Sequence, residues 1–233
     1  SHARTNIFRF KSFGFLKFRK FDHLQELLND GIKVTKKVDN KAHLLTLYLV
    51  QVQLFIHKGK ILEAEELLRV VEKDLEEKKM IPVLYTHYLL TKNQLGLQII
   101  KMQQAKGETS KDKIKEFLSI SRKLISKSQK FVPNLTQAYL LRTTFYNNQK
   151  KFKKAFKNLQ LAIQTGEKHN GRLELSRAYF ETGKFLSDPN NKYKELNGQP
   201  ASHYLEKAKT MFDEMDLQWD LEEYRKFEKP LQP

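Results

Sequence analysis

The sequence predicts an all-α protein, an α-solenoid of about five antiparallel helix pairs with a period near 40 residues and a C-terminal capping helix. The first observation is composition: the 233 residues include only 9 Gly and 6 Pro, and Leu, Lys, Glu and Gln are abundant. Long unbranched side chains of this kind favour helix. The second is a repeat of aromatic and apolar residues at fixed offsets, and the third is the position of Gly and Pro between the repeated segments.

An aromatic residue recurs near the start of each predicted pair. The intervals between successive members are 40, 40, 51 and 40 residues. The members of the series are Phe8, Tyr48, Tyr88, Tyr139 and Tyr179. The surrounding segments have apolar residues at helical spacing, so we expect each aromatic residue to lie in the first helix of its pair.

An apolar triplet marks the second helix of each pair. In every repeat the triplet begins with an apolar residue, Leu stands four positions later, and a small or medium-sized residue stands seven positions later. These offsets lie on one helix face, which we expect to be buried. The triplets are Leu24, Leu28 and Gly31; Ala64, Leu68 and Val71; Ile114, Leu118 and Ser121; Ala155, Leu159 and Ala162; and Ala201, Leu205 and Ala208.

Proline and glycine set the expected boundaries. Three prolines stand at first-turn positions and three glycines are expected between helices. These residues are Pro82, Pro133, Pro200, Gly59, Gly166 and Gly198. The whole chain, 1–233, is interpreted as one superhelical domain. Its predicted pairs cover approximately residues 4–38, 40–79, 81–130, 133–169 and 171–216, followed by a cap at 217–228.

The pattern resembles the tetratricopeptide (TPR) repeat. That family places two aromatic residues and a small residue in the first helix, then Ala, a large apolar residue and Ala in the second. All six places are matched by Tyr139, Thr143, Tyr146, Ala155, Leu159 and Ala162. The period departs from the usual length of about 34 residues. Longer repeats of this type resemble those of large signalling proteins, and residues 201–219 resemble the end of such arrays in bacterial ATPases, nucleotide cyclases and transcriptional regulators.

Several kinds of chemistry have no support in the sequence. The chain contains no cysteine, which excludes disulfides and thiolate sites. Its seven histidines are scattered without metal-ligand spacing, and no phosphate-binding loop or nucleophile elbow is present. The longest apolar stretch, 44–56, is too short to span a bilayer, and no signal peptide is visible. The sequence predicts a cytoplasmic protein that is not an enzyme and has no cofactor or metal.

The resemblance implies a peptide-binding groove. In TPR arrays the first helices line a concave surface that binds extended peptides or partner helices. The polar positions carried over to this groove are Asn6, Gln53, Asn93, Thr144, Asn147, Arg177 and Lys184. Asn and Gln amides can hold an extended backbone by paired hydrogen bonds. The alternative for each position is an ordinary exposed polar side chain.

A second candidate surface is basic. The formal net charge is +16, and the stretch 117–166 contains no Asp or Glu. Its cationic residues are Arg122, Lys123, Lys127, Lys130, Arg142, Lys150, Lys151, Lys153, Lys154 and Lys157. Three interpretations remain open: a solvated helix face, a docking surface for an acidic protein, and a surface for nucleic-acid phosphates. The nearby aromatic residues, including Phe156, have helical core spacing and are interpreted as packing residues.

Taken together, these patterns predict a protein-interaction or scaffold module that is part of a larger signalling or regulatory protein. Its groove would bind a peptide, a partner helix or a neighbouring domain, with no role for a membrane. The alternative is a nucleic-acid-binding helical repeat that uses the basic stretch 117–166.

Overall fold

The computed structural model describes residues 2–76, 81–108 and 110–229. Residues 77–79, at the end of the second predicted pair, lie outside the described residues. Within the described ranges, the chain forms eleven helices and one short hairpin, so the predicted all-α class is confirmed. The helices are α1 (His2–Lys17), α2 (Phe21–Lys37), α3 (Lys41–His57), α4 (Ile61–Glu76), α5 (Pro82–Ala105), α6 (Lys111–Lys127), α7 (Val132–Asn148), α8 (Phe152–Lys168), α9 (Arg172–Ser187), α10 (Ala201–Glu214) and α11 (Gln218–Glu228).

The helices group into two compact units, Ser1–Lys123 and Leu124–Pro233. In the first unit α1 packs on α2 and α3, and α3 packs on α4 and α5. In the second unit α7 packs on α8 and α9, and α9 packs on α10. No helix within the described ranges is long and apolar enough to cross a membrane.

Short turns with a left-handed residue join many of the helices. In the three-residue turns of the first unit, the second residue is left-handed. These residues are Arg19, Asp39 and Gly59, with φ of 55°, 52° and 71°, and they recur at intervals of 20 residues. Lys150 and Asn170 repeat the same interval in the second unit, with φ of 54° and 51°. A left-handed residue after the last helical turn reverses the chain and satisfies terminal carbonyl groups. The period near 40 residues thus corresponds to two helices, each about 20 residues long with its turn.

The buried stripe of the second helices agrees with the triplets in α2, α4 and α8, where all nine predicted members are buried. In α6 and α10 the buried stripe is displaced by three residues from the predicted one, and of the six predicted members only Ser121 and Ala208 are buried. There Leu118 and Leu205 are only half-buried, while Phe117 and Tyr204 lie in the core. Both helices follow a longer link, and placing an aromatic ring inward buries more apolar area than the predicted Ile114 or Ala201 would.

Gly166 is not a turn residue, contrary to the sequence prediction. It lies inside α8 and is buried. A Cβ atom on this residue would stand 2.9 Å from Leu175 Cδ1, so glycine permits the close approach of α8 and α9. Gly183 on α9 has the same role towards α10, since its Cβ would stand 2.5 Å from Leu205 Cγ.

The link between α9 and α10 is ordered by a hairpin that the sequence did not predict. Strand β1 (Glu195–Leu196) pairs antiparallel with β2 (Gln199–Pro200). The connecting residues, Asn197 and Gly198, have φ of 52° and 72°, as a two-residue type I′ turn requires. The Tyr204 hydroxyl donates to the Leu196 carbonyl at 2.7 Å and fastens the hairpin to α10.

Candidate functional site

The groove candidates of the first unit are mostly internal. Asn6 is half-buried on α1, but Gln53 and Asn93 are buried. Neither amide atom of Asn93 has a hydrogen-bond partner among the residues that the structure describes. Gln53 donates from Nε2 to Thr91 Oγ1 at 2.7 Å and to His87 Nε2 at 2.8 Å. The Gln53 amide therefore joins α3 to α5.

His87 is held neutral by its surroundings. Because the Gln53 amide nitrogen can only donate, His87 Nε2 accepts and the ring proton sits on Nδ1. Burial, aided by the charge of Lys17, lowers the pKa of His87 to about 3. The ring of Phe13 lies 4.6 Å away, centroid to centroid. This buried cluster joins α1, α3 and α5, and the buried His87 Nδ1 has no hydrogen-bond partner among the described residues.

The groove candidates of the second unit also make contacts within the protein. The Thr144 hydroxyl donates to the Leu140 carbonyl, one turn earlier, at 3.1 Å. Asn147 is half-buried, and its Oδ1 has no hydrogen-bond partner within the described ranges. Arg177 forms an ion pair with Asp220. Lys184 pairs with Glu181 at 2.8 Å and lies over the Phe180 ring. The seven predicted positions are thus divided between the two units, with three in the first and four in the second.

The sequence did not predict a cleft that lies between α4, α5 and α6 in the first unit. Its floor is apolar and its walls carry charges of both signs. Apolar lining residues include Leu68, Leu95, Ile99, Phe117 and Ile120. Charged lining residues are Glu65, Arg69, Glu72, Lys92, Lys113, Glu116 and Lys123. We call this feature the α4–α6 cleft.

Lys92 is the centre of the polar wall of the α4–α6 cleft. Its Nζ lies 2.7 Å from Glu72 Oε1 and 3.6 Å from Glu116 Oε1. The Tyr88 hydroxyl donates to the same Glu72 oxygen at 2.8 Å. Burial and this hydrogen bond raise the pKa of Tyr88 to about 12. Burial alone would lower the pKa of Lys92, but the bond and charge of Glu72 outweigh it and raise that pKa. The charge of Lys92 is therefore balanced by the carboxylates of Glu72 and Glu116.

The sequence contains the residues of the α4–α6 cleft but does not show that they come together. Tyr88 belongs to the aromatic series that marks the first helix of each pair, and Glu72 lies in an acidic second helix. Their hydrogen bond connects helices α4 and α5 across the link between them. Periodicity along one helix cannot reveal such a contact, because it reports only which face is apolar.

The ten basic candidates are also divided between the units. Arg122 and Lys123 lie on α6 in the first unit, and the other eight belong to the second. Seven of those eight are exposed, and Arg142 is half-buried. None of the eight pairs with a carboxylate in the described part of the chain. The Nη2 of Arg142 donates to the Tyr146 hydroxyl at 3.2 Å, and Lys154 Nζ lies 5.5 Å from the centre of that ring.

An aromatic pair borders the lysines of α8. Phe156 and Tyr193 stack with centroids 4.4 Å apart and an interplanar angle of 18°. Both side chains are half-buried, and Phe185 lies behind each of them at 6.4 Å. Lys192 Nζ lies 5.5 Å from the centre of the Tyr193 ring. Phe156 therefore packs against the α9–α10 link rather than within the buried stripe of α8.

Within the ranges that the structure describes, no group of three His, Asp or Glu side chains is arranged to hold a metal ion. We compared the chain with known proteins, and no family model, no curated protein and no solved structure matches it.

Proposed function

We propose that this chain is a TPR-like solenoid that serves as a protein-interaction scaffold in a larger cytoplasmic signalling or regulatory protein. Its first helices contact each other in chain order, α1 with α3 and α3 with α5, and α7 with α9 in the second unit. Left-handed turn residues recur every 20 residues in both units. These features are typical of stacked helix pairs, whose extended surfaces commonly bind polypeptides.

The observation that carries the proposal is the α4–α6 cleft. A binding site for a polypeptide segment combines an apolar floor with a few polar groups at its rim. Here Leu95, Phe117 and Ile120 supply the floor, while Lys92 is fixed in position by Glu72 and Glu116. Fixed polar groups bind at a lower entropic cost than mobile ones.

The charge balance of the cleft indicates the class of ligand. Four cationic and three carboxylate side chains line it, so a polyanion would meet both attraction and repulsion. An amphipathic peptide or partner helix fits better, because its apolar side chains can enter the floor while its charged ones pair at the rim. The ligand proposed for this site is therefore an amphipathic protein segment of mixed charge.

The test is site-specific photo-crosslinking with the full chain. A photoreactive amino acid replaces Ile99 or Ile120 in the cleft, and Leu62, which is 74% exposed on α4, serves as the matched control. Each variant is irradiated in a nuclease-treated lysate of the organism that carries the gene. We expect the two cleft positions to crosslink to the same polypeptide, and the control not to.

Competition then separates specific binding from chance contact. The crosslinked segment, made as a synthetic peptide, should reduce the yield at Ile99 and Ile120 in proportion to its concentration. Equal crosslinking at Leu62, or no competition by the peptide, would show that the cleft is not a binding site.

A further inference from the structure

We infer that the second unit carries a binding surface for single-stranded polynucleotides, formed by the lysines of α8 and the Phe156–Tyr193 stack. This inference does not depend on the proposed function, since it uses other residues in the other unit. The first observation is charge. Residues 124–166 contain eight Lys and Arg and no Asp or Glu, although the whole chain has 27 acidic residues.

The exposed lysines of α8 are placed next to one another. Lys153 and Lys157 are one turn apart on α8, Lys154 directly follows Lys153, and Lys150 lies in the turn before the helix; all four are exposed. Like charges at this spacing repel each other and weaken a helix. Because no carboxylate in the described part of the second unit pairs with them, an external anion would relieve this repulsion.

The second observation is a fixed aromatic platform beside these lysines. Tyr193 stacks on Phe156, which lies one turn after Lys153 and directly before Lys157. The link that carries Tyr193 is fastened by Asn191, whose amide donates to the Phe185 carbonyl at 2.8 Å. The same Asn191 side chain accepts from the backbone N–H of Tyr193 at 3.0 Å. The ring is thereby held in place with part of its surface exposed.

Other cations of the second unit also lie against aromatic rings. Lys192 lies against Tyr193 on the link, and Lys154 and Arg142 converge on Tyr146 at the junction of α7 and α8. All of these residues belong to the second unit. Single-strand binding proteins combine these two elements, namely cations along the backbone path and aromatic rings on which bases stack.

The combination favours a single strand over the other anionic partners. An acidic polypeptide would use the lysines but has no need of a stacking ring. A duplex offers phosphates but keeps its base faces inside the helix. Lysine acts as a flexible point charge and contacts phosphates without reading sequence. We therefore expect binding with little sequence preference.

The experiment measures fluorescence anisotropy of a labelled oligo(U) or oligo(dT) strand of about 20 nucleotides with the full chain over a salt series. The charge variant is Lys153→Glu with Lys157→Glu. Its matched control is Lys111→Glu with Lys115→Glu, an exposed pair with the same spacing on α6. We expect the α8 variant to lower affinity about tenfold or more and to flatten the salt dependence. The control should change affinity less than about threefold.

Stacking is tested separately with Tyr193→Ala and Tyr193→Phe. The alanine variant should lower affinity about tenfold without changing the salt dependence, and phenylalanine should retain binding. Circular dichroism establishes that each variant is folded.

Equal losses in the two charge variants, or no loss in Tyr193→Ala, would overturn the inference. So would equally tight binding of polyglutamate, since that would assign the lysines to an acidic protein. Variants of the α4–α6 cleft should leave oligonucleotide binding unchanged, so this inference and the proposed function can fail independently.

Discussion

Arg177 and Asp220 form a two-pronged ion pair that fastens α11 to α9. Arg177 Nε donates to Asp220 Oδ1 at 3.0 Å, and Nη2 donates to Oδ2 at 2.8 Å. The side chains are only 13% and 3% exposed. A bidentate pair between a guanidinium group and a carboxylate stabilises the contact and also fixes the relative orientation of the two side chains. The pair sets the orientation of the last helix, although the sequence suggested a ligand-binding role for Arg177.

Removing one partner of this pair should be strongly destabilising. We expect Asp220→Asn to lower the free energy of unfolding by about 3–5 kcal/mol, because the buried Arg177 charge loses its partner. Urea unfolding followed by circular dichroism measures this loss, and hydrogen exchange shows whether α11 loses protection first. Glu223→Gln, which breaks the exposed pair with Lys226 on α11, is the control and should have a much smaller effect. Equal losses in the two variants would contradict the structural role of the Arg177–Asp220 pair.

The left-handed turns predict stabilising substitutions. Asp39 has a φ of 52°, which strains a side chain, and its charge lies at the carboxyl end of α2. Asp39→Gly should therefore raise the free energy of unfolding by about 1 kcal/mol. Asp39→Ala removes the charge but keeps the strain, so it should gain less. Gly59→Ala, at the same place in the next turn, should lose about 1 kcal/mol. A thermal or urea melt measures all three variants, and a gain in Gly59→Ala would refute this account.

The close contact between α9 and α10 predicts opposite effects of alanine at two helical glycines. In Gly183→Ala the new Cβ would stand 2.5 Å from Leu205 Cγ, and we expect a loss of about 1–3 kcal/mol. In Gly96→Ala the nearest atom is Phe117 Cδ2 at 3.9 Å, so higher helix propensity should stabilise the chain by up to about 1 kcal/mol. Urea midpoints distinguish the two outcomes.

A double-mutant cycle tests the cause of the Gly183 effect. Leu205→Ala alone loses apolar contacts, but it should make Gly183→Ala less harmful because the clashing atoms are gone. Additive losses from the two substitutions would mean that the close approach of Gly183 and Leu205 does not cause the destabilisation.

The buried histidine predicts a specific loss of stability in acid. The pKa of His87 is about 3 in the folded protein, against an ordinary value of 6.5. Between these values the unfolded chain binds a proton that the folded protein does not, so this contribution to stability is complete above pH 6.5 and falls as the pH is lowered towards 3. The slope should approach about 1.4 kcal/mol per pH unit. His87→Gln should reduce it, whereas His169→Gln, at an exposed position, should not.

Urea unfolding at a series of pH values between neutral and acid measures this slope. The quantity compared is the difference in unfolding free energy between each variant and the unaltered chain. If that difference for His87→Gln is the same at every pH, then His87 is not the titrating group.

Local features of the fold could be predicted because their causes are local. The stripe at Leu24, Leu28 and Gly31 follows from apolar residues at helical spacing, and the structure buries all three. Gly59 was correctly expected in a turn, since a left-handed residue ends the preceding helix there. In α6 the same reasoning fixed the helix but not its register. Two sets of apolar residues in α6, displaced by three positions along the chain, could each face the core. The set that contains Phe117 is the buried one, and Phe117 lies next to Gly96 of α5.

The candidate site could not be predicted to the same degree, because its contacts join residues far apart in the chain. The aromatic platform needs Phe156 and Tyr193 together, and they are brought together by the fold of the α9–α10 link. Their sequence context indicated only helical packing for Phe156. The α4–α6 cleft likewise depends on Lys92 reaching Glu72 and Glu116 on two other helices.

By itself, the sequence determined the all-α class and which face of α2, α4 and α8 is buried, because these depend on neighbours within a few residues. Tertiary structure alone decided that Gly166 lies between packed helices, that the Gln53 amide joins α3 to α5, and that Arg177 binds Asp220. A polar side chain has the same local signature whether it meets a ligand or another helix. The partner that satisfies it is chosen when the helices pack, since burial without a partner is costly.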